Sequence, residues 1–221
     1  MVIGVSVSAQ ATLIDNGGGF LYDTDLGITW LQDANYAKTS GYDTDGVMTW
    51  SAANTWATTL VYGGVSGWRL PTTVDGVFDF GSDGTTTAGY NITTSEMGHL
   101  FYTELGNKGY WATDGTFPQP DYGLLNTGPF LNMEVFAYWS GTEYANPPPG
   151  YAWYFLFNDG GQAVHPKTAV DPQTDKFYAW AVHSGDVGPA AVPEPGTALL
   201  LGSGLVGLVS IGLRRAKRRR D

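Results

Sequence analysis

Closely spaced acidic pairs are the first chemically suggestive feature of this 221-residue chain. Asp23 and Asp25, Asp43 and Asp45, and Asp79 with Asp83 and Gly84 offer the hard oxygen donors that calcium prefers. Neither longer loop completes an EF-hand, because position twelve counted from Asp43 is Asn54 and from Asp79 is Tyr90. Asp-Gly steps are also ordinary turn formers, so Asp79 and Asp83 read either as a calcium loop or as a plain turn. Glu104, Glu134 and Glu143 could pair with an aspartate for work on a glycosidic bond, but chain spacing does not give the separation such a pair needs. His99, His165 and His183 lie far apart and lack zinc-helix spacing; His99 is expected on a helix surface or in a local hydrogen bond. Gly64-Val65-Ser66-Gly67-Trp68 misses the final glycine of a nucleophile elbow, and neither a P-loop nor a dinucleotide fingerprint is present. With no catalytic motif, the chain reads as a non-enzyme without a resident cofactor.

Binding chemistry has better candidates. Trp68, Trp139, Trp153 and Trp180 are potential stacking platforms for sugars, although aromatics in strands more often fill a core. Arg69, in Gly67-Trp68-Arg69-Leu70-Pro71-Thr72, is the only arginine before residue 214. Its five donors favour a tie between loops, with ligand contact, alongside Glu143, as the other reading.

Composition narrows the classes. Residues 1–192 carry a net charge of −14 and residues 193–221 a net of +4. So acidic a domain repels a phosphate backbone, which argues against nucleic acid as partner. The absence of cysteine removes thiolate catalysis, cysteine-type zinc sites and disulfides. Hydrophobic content of 43% supports a packed core, and 31 glycines imply short elements and many turns.

The elements that must hold these residues can be read from periodicity. Trp50, Ala53, Ala57 and Leu60 form the stripe of an amphipathic helix with Thr49 as N-cap. Met97, Leu100, Phe101 and Leu105 make a second, with Thr93 and Glu96 at capping-box spacing and Gly106 as a stop. The segments 135–144, 151–165 and 176–185 are aromatic strands, and Asn158-Asp159-Gly160-Gly161 is a hairpin turn. Tyr151, Trp153, Phe155 and Phe157 share one face while Tyr154 and Leu156 make the other apolar, which predicts a central strand covered on both sides. Shorter strands near residues 19–24 and 28–33 are expected in that same sheet. Two helices followed by antiparallel strands predict an α+β domain over residues 12–187.

The two ends read as addresses. Residues 1–11 end in Ala9-Gln10-Ala11, a small-x-small cleavage pattern that predicts a truncated signal peptide cut after Ala11. Residues 188–196 form a linker ending in Val192-Pro193-Glu194-Pro195-Gly196, where the two prolines hold an extended, polar segment. The uncharged run 197–213 would span roughly 25 Å as a helix, near the short limit for a bilayer. Arg214, Arg215, Lys217, Arg218, Arg219 and Arg220 then form a basic tail, 214–221, expected to stop transfer and stay cytoplasmic. The domain is therefore expected outside the cytoplasm.

Pro-Glu-Pro, an apolar glycine-containing run and an arginine-rich end together resemble the PEP-CTERM sorting signal. That resemblance implies a membrane-embedded exosortase as partner, transient inner-membrane anchoring in a Gram-negative bacterium, and a link to exopolysaccharide and biofilm matrix. Over residues 20–186, the segments ITWLQDANYA, MTWSAANTWA, GWRLPT, SEMGHLF, YWSGTEY, AWYFLFNDG and YAWAVHSGD resemble, in that order, the family named for the carboxyl-terminal domain of the Lcl adhesin. The resemblance implies a C-type-lectin-like fold, similar to that of the formylglycine-generating enzyme, with polysaccharide or another surface ligand as partner. The cysteines that enzyme chemistry requires are absent, so no activity carries over. Residues 73–93 stand outside the family pattern as an insertion. The alternatives to a binding protein are a carboxylate-based hydrolase and a purely structural matrix component.

Overall fold

Short runs of aromatic and aliphatic residues, each ended by glycine or aspartate turns, assemble into two sheets rather than the single sheet that their sequence predicts. The structure is a computed structural model and describes residues 13–146, 149–168 and 176–189. Strands β1 (Leu13–Gly17), β2 (Phe20–Asp23) and β3 (Ile28–Leu31) form a meander that β11 (Val182–Ser184) completes, in the order β1-β2-β3-β11. The larger sheet holds β4 (Val47–Met48), β5 (Phe80–Gly81), β6 (Ala88–Gly89), β7 (Ala137–Glu143), β8 (Tyr151–Leu156), β9 (Gln162–Pro166) and β10 (Phe177–Tyr178). Its order is β4-β10-β7-β8-β9-β6-β5. Pairing is antiparallel apart from β10 with β7 and β5 with β6.

The expectation that residues 19–24 and 28–33 join the large sheet is thus corrected. The reason lies in residues 176–185, which read as one strand but are divided between the sheets as β10 and β11. Trp180 sits in the break, fully buried, with its indole donating to the Leu31 carbonyl at 2.7 Å. Its ring meets Trp30 at 4.9 Å and Tyr138 at 5.7 Å, so it packs both sheets into one core.

The central position of β8 holds: Trp153 and Phe155 are buried, and Tyr154 and Leu156 are half-buried on its other face. The hairpin turn after it closes through Gly160, at φ +81°, whose N–H donates to the Leu156 carbonyl. The insertion is not a detached loop. Its strands β5 and β6 extend the large sheet beyond β9, and Asp75 near its start accepts from the Trp153 indole at 2.8 Å.

Among the described residues three α-helices and a π-helix accompany the sheets: α1 (Tyr36–Thr39), α2 (Trp50–Thr59), α3 (Glu96–His99) and the π-helix Leu100–Glu104 that continues α3. Helix α2 has Thr49 as its cap, accepting from Ala52 N–H, and buries Ala53, Trp56 and Ala57. For α3 the cap is Ser95 rather than Thr93, because the chain enters the helix two residues later than the capping-box spacing implies. Buried Ser95 accepts from Gly98 N–H at 3.0 Å, and exposed Thr93 is left outside. Gly106, at φ +62°, follows the helix end.

Among the described residues no helix is long and apolar enough to cross a membrane. The run 197–213 lies outside them, as do Ala9 and Ala11, Val192 to Gly196, and the basic tail.

Candidate functional site

The sequence-named aromatics are core. Trp68 is 1% exposed, and Trp139, Trp153 and Trp180 are 0% exposed. The Trp68 indole donates to the Val65 carbonyl at 3.0 Å, and that of Trp139 to the Met48 carbonyl at 2.8 Å. A ring enclosed on both faces cannot stack on a sugar, so a binding surface must be sought elsewhere.

Arg69 ties elements together. Its guanidinium makes two parallel bonds to the Glu96 carboxylate, at 2.6 and 2.7 Å, and a third to the Leu70 carbonyl. Glu96 also accepts from Thr72 N–H at 2.7 Å, so the start of α3 is fastened to the segment 69–72.

The three glutamates have separate partners. Glu143 pairs with Lys167, whose ammonium lies 5.0 Å from the centre of the Trp50 ring. Glu134 accepts from the Asn35 side chain at 3.0 Å, and Glu104 stands against His99 at 3.3 Å. In the insertion, Asp83 accepts from both the N–H and the hydroxyl of Thr85, which holds its carboxyl below the usual range. Asp79 is exposed, with its own N–H donating to the Thr87 hydroxyl.

The open aromatic surface is built by two loops that sequence reasoning passed over. Phe80 and Tyr90 come from the insertion, and Tyr110, Trp111, Phe117 and Tyr122 from the segment after the π-helix. Their rings form an unbroken series. Phe80 meets Tyr90 at 6.1 Å, Tyr90 meets Trp111 at 6.4 Å, and Trp111 stacks on Phe117 at 3.9 Å. Phe117 then meets Tyr110 at 5.9 Å, and Tyr110 meets Tyr122 at 5.0 Å. Phe80 is 58% exposed, Phe117 54% and Tyr122 41%. Tyr90, Tyr110 and Trp111 are half-buried between them, so the series is a candidate interaction surface.

Side-chain amides fasten the two loops. Asn91, at φ +59°, donates to the carbonyls of Ser82 and Trp111, one in each loop. Gln119 donates to the carbonyls of Gly109 and Trp111, which stiffens the turn that presents Phe117. Each loop also carries an Asp-Gly-Thr turn: Asp114 accepts from the N–H and hydroxyl of Thr116 as Asp83 does from Thr85.

Beneath the rings, the Tyr90 hydroxyl reaches Asp159 of the hairpin turn at 3.4 Å. Burial, with the Asp159 charge behind it, pushes the Tyr90 phenol up to about 12, so it remains a neutral donor and acceptor. Burial likewise raises Asp159, against the opposing hydrogen bonds from Gly161 N–H and Tyr90. The surface therefore offers apolar ring faces, with the Tyr90 hydroxyl as a neutral polar group beside them. The signal available in the sequence was the repeated Asp-Gly-Thr turn, at 83–85 and 114–116, flanked by aromatics.

The model of the Lcl C-terminal domain family matches residues 19–183, and that of the PEP-CTERM protein-sorting motif matches residues 191–219. No curated protein and no solved structure matches the chain. The first match runs from the start of β2 into β11 and takes in both aromatic loops. With well over half of its residues inside that match, the chain belongs to the Lcl C-terminal domain family and carries a PEP-CTERM sorting motif behind the domain.

Proposed function

We propose that the protein is an exosortase-processed surface or extracellular-matrix protein whose lectin-like domain binds polysaccharide on the aromatic surface of Phe80, Tyr90, Tyr110, Trp111, Phe117 and Tyr122. The observation carrying this reading is the unbroken ring series, half of whose members are more than two-fifths exposed and which two amide clamps hold in place. Rigid rings lose little conformational freedom on binding, so they suit a ligand that has few charges to offer. The sorting motif supports delivery to the outside, where such a ligand is found. The reaction this reading assigns is none: the domain holds its ligand without turning it over.

The test is a binding screen on the chain and on the separate variants F117A and Y122A, with neutral β-linked glucans and galactans and anionic alginate as probes. Each truncation is expected to weaken binding of a neutral glycan about tenfold, equivalent to about 1.4 kcal/mol. Both variants should melt within a few degrees of the parent, since the rings are exposed. Binding untouched by either truncation, or no saturable binding to any probe, contradicts the proposal.

A further inference from the structure

We infer that Asp23, His99 and Glu104 form a divalent transition-metal site, distinct from the aromatic surface. One ligand atom from each lies within 4.8 Å of those of the other two, the grouping a single ion needs to be held by all three. Among the described residues this is the group of three histidine or acidic side chains so placed.

The positions are set by unlike elements. Asp23 ends β2 with its side chain fully buried; its Oδ1 accepts from the N–H groups of Asp25 and Leu26, and its Oδ2 from the Trp30 indole at 3.3 Å. These bonds fix the carboxylate and so act as outer-shell supports. His99 closes α3 and Glu104 closes the π-helix, five residues on. In an α-helix residues five apart diverge, but the π-turn carries an i→i+5 bond, here Leu105 N–H to the Leu100 carbonyl at 2.9 Å. The widened turn brings the Glu104 Oε1 to 3.3 Å from His99 Nε2, and π-turns recur at functional sites.

Charge supplies the independent reason for a ligand. The Glu104 side chain is only 1% exposed, and beside it stands a second carboxylate that is wholly buried. Among the described residues, neither has an ion pair with lysine or arginine, and His99 is the one basic partner of Glu104. Two buried carboxylates with one imidazole leave negative charge that burial makes expensive, and a bound dication neutralises it. Asp25, 48% exposed and 3.9 Å from His99 Nε2, offers a further oxygen donor. One imidazole with two or three carboxylates suits zinc or manganese better than calcium, which takes six to eight oxygens.

The test uses the full chain in detergent, stripped with EDTA, titrated calorimetrically with Zn2+, Mn2+ and Ca2+. The expected result is one saturable equivalent of Zn2+ or Mn2+, a rise in Tm with bound metal, and affinity at least tenfold weaker in E104Q and in H99Q. The double variant D79N/D83N should keep the parent affinity. Because a variant may unfold, the parent also receives a direct readout: the His99 imidazole nitrogen resonance should move on addition of one equivalent of Zn2+. Binding of neither Zn2+ nor Mn2+, equal affinity in E104Q, or an unmoved His99 resonance overturns the assignment.

Discussion

Asp159 links the aromatic surface to the core, and its ionisation gives a measurable consequence. Its Oδ1 accepts from Gly161 N–H at 2.8 Å while Oδ2 faces the Tyr90 hydroxyl. Burial nevertheless outweighs both bonds and raises the carboxyl above 3.8. The folded chain therefore keeps this proton to higher pH than the unfolded chain, so the contribution to stability is present below 3.8 and is lost as pH rises through the folded value. Replacing Asp159 with asparagine keeps an acceptor for Gly161 and removes the titration. The Tm of D159N relative to the parent should climb as pH rises above 3.8 and then level off; parallel Tm profiles would refute this. Residue roles were unevenly legible beforehand. That Arg69 suits a loop tie follows from its donor geometry, but its partner Glu96 is not legible as such, because its spacing from Thr93 reads as a capping box. The four tryptophans could not be sorted into core and surface, because an aromatic strand covered on both faces has no polar period to separate its sides.

At the scale of elements, local signals survived and long-range ones did not. Helix α2 was legible because its cap, stripe and length lie within a dozen residues, and the turn at 158–161 because Asn-Asp-Gly-Gly has few other uses. The division of residues 176–185 between two sheets depends on Trp180 meeting Trp30, a contact separated by 150 residues that no local pattern records. The aromatic surface was illegible for a related reason: its rings, apart from Phe80 in the two-residue β5, sit outside the strands and helices, where no period marks a face. The start of α3 allows the two capping choices to be separated. Ser95 is 2% exposed and satisfies Gly98 N–H, so S95A should cost about 1 kcal/mol, with some added loss from burial of the unmet donor. Thr93 is exposed and outside the helix, so T93A should fall within about 0.5 kcal/mol of the parent. Urea denaturation of both variants decides the matter; equal losses would place the cap wrongly.

At the scale of the whole molecule, charge and delivery constrain each other. Residues 1–192 carry a net of −14, so the domain repels anionic polymers at low salt, and a neutral glycan is the better match for the binding proposed at the ring surface. The opposite charge is concentrated in the sorting motif, which spans residues 191–219 and ends on a run of basic residues. A PEP-CTERM motif implies exosortase processing, and cleavage near Pro193-Glu194-Pro195 would separate the basic tail from the acidic domain. Proline fixes φ and disfavours helical geometry in the residue before it, so Pro193 and Pro195 are the residues through which the motif's backbone preference can be tested. Replacing both with alanine keeps the length, the charge and the apolar run 197–213 unchanged and removes only the two proline constraints. In a host that expresses an exosortase, P193A/P195A should accumulate as the full-length chain in the membrane fraction, whereas the parent appears as a shorter released form. Immunoblots of both fractions, with the same host lacking the exosortase as reference, distinguish the outcomes. Normal release of the double variant would show that the motif is not read through its prolines.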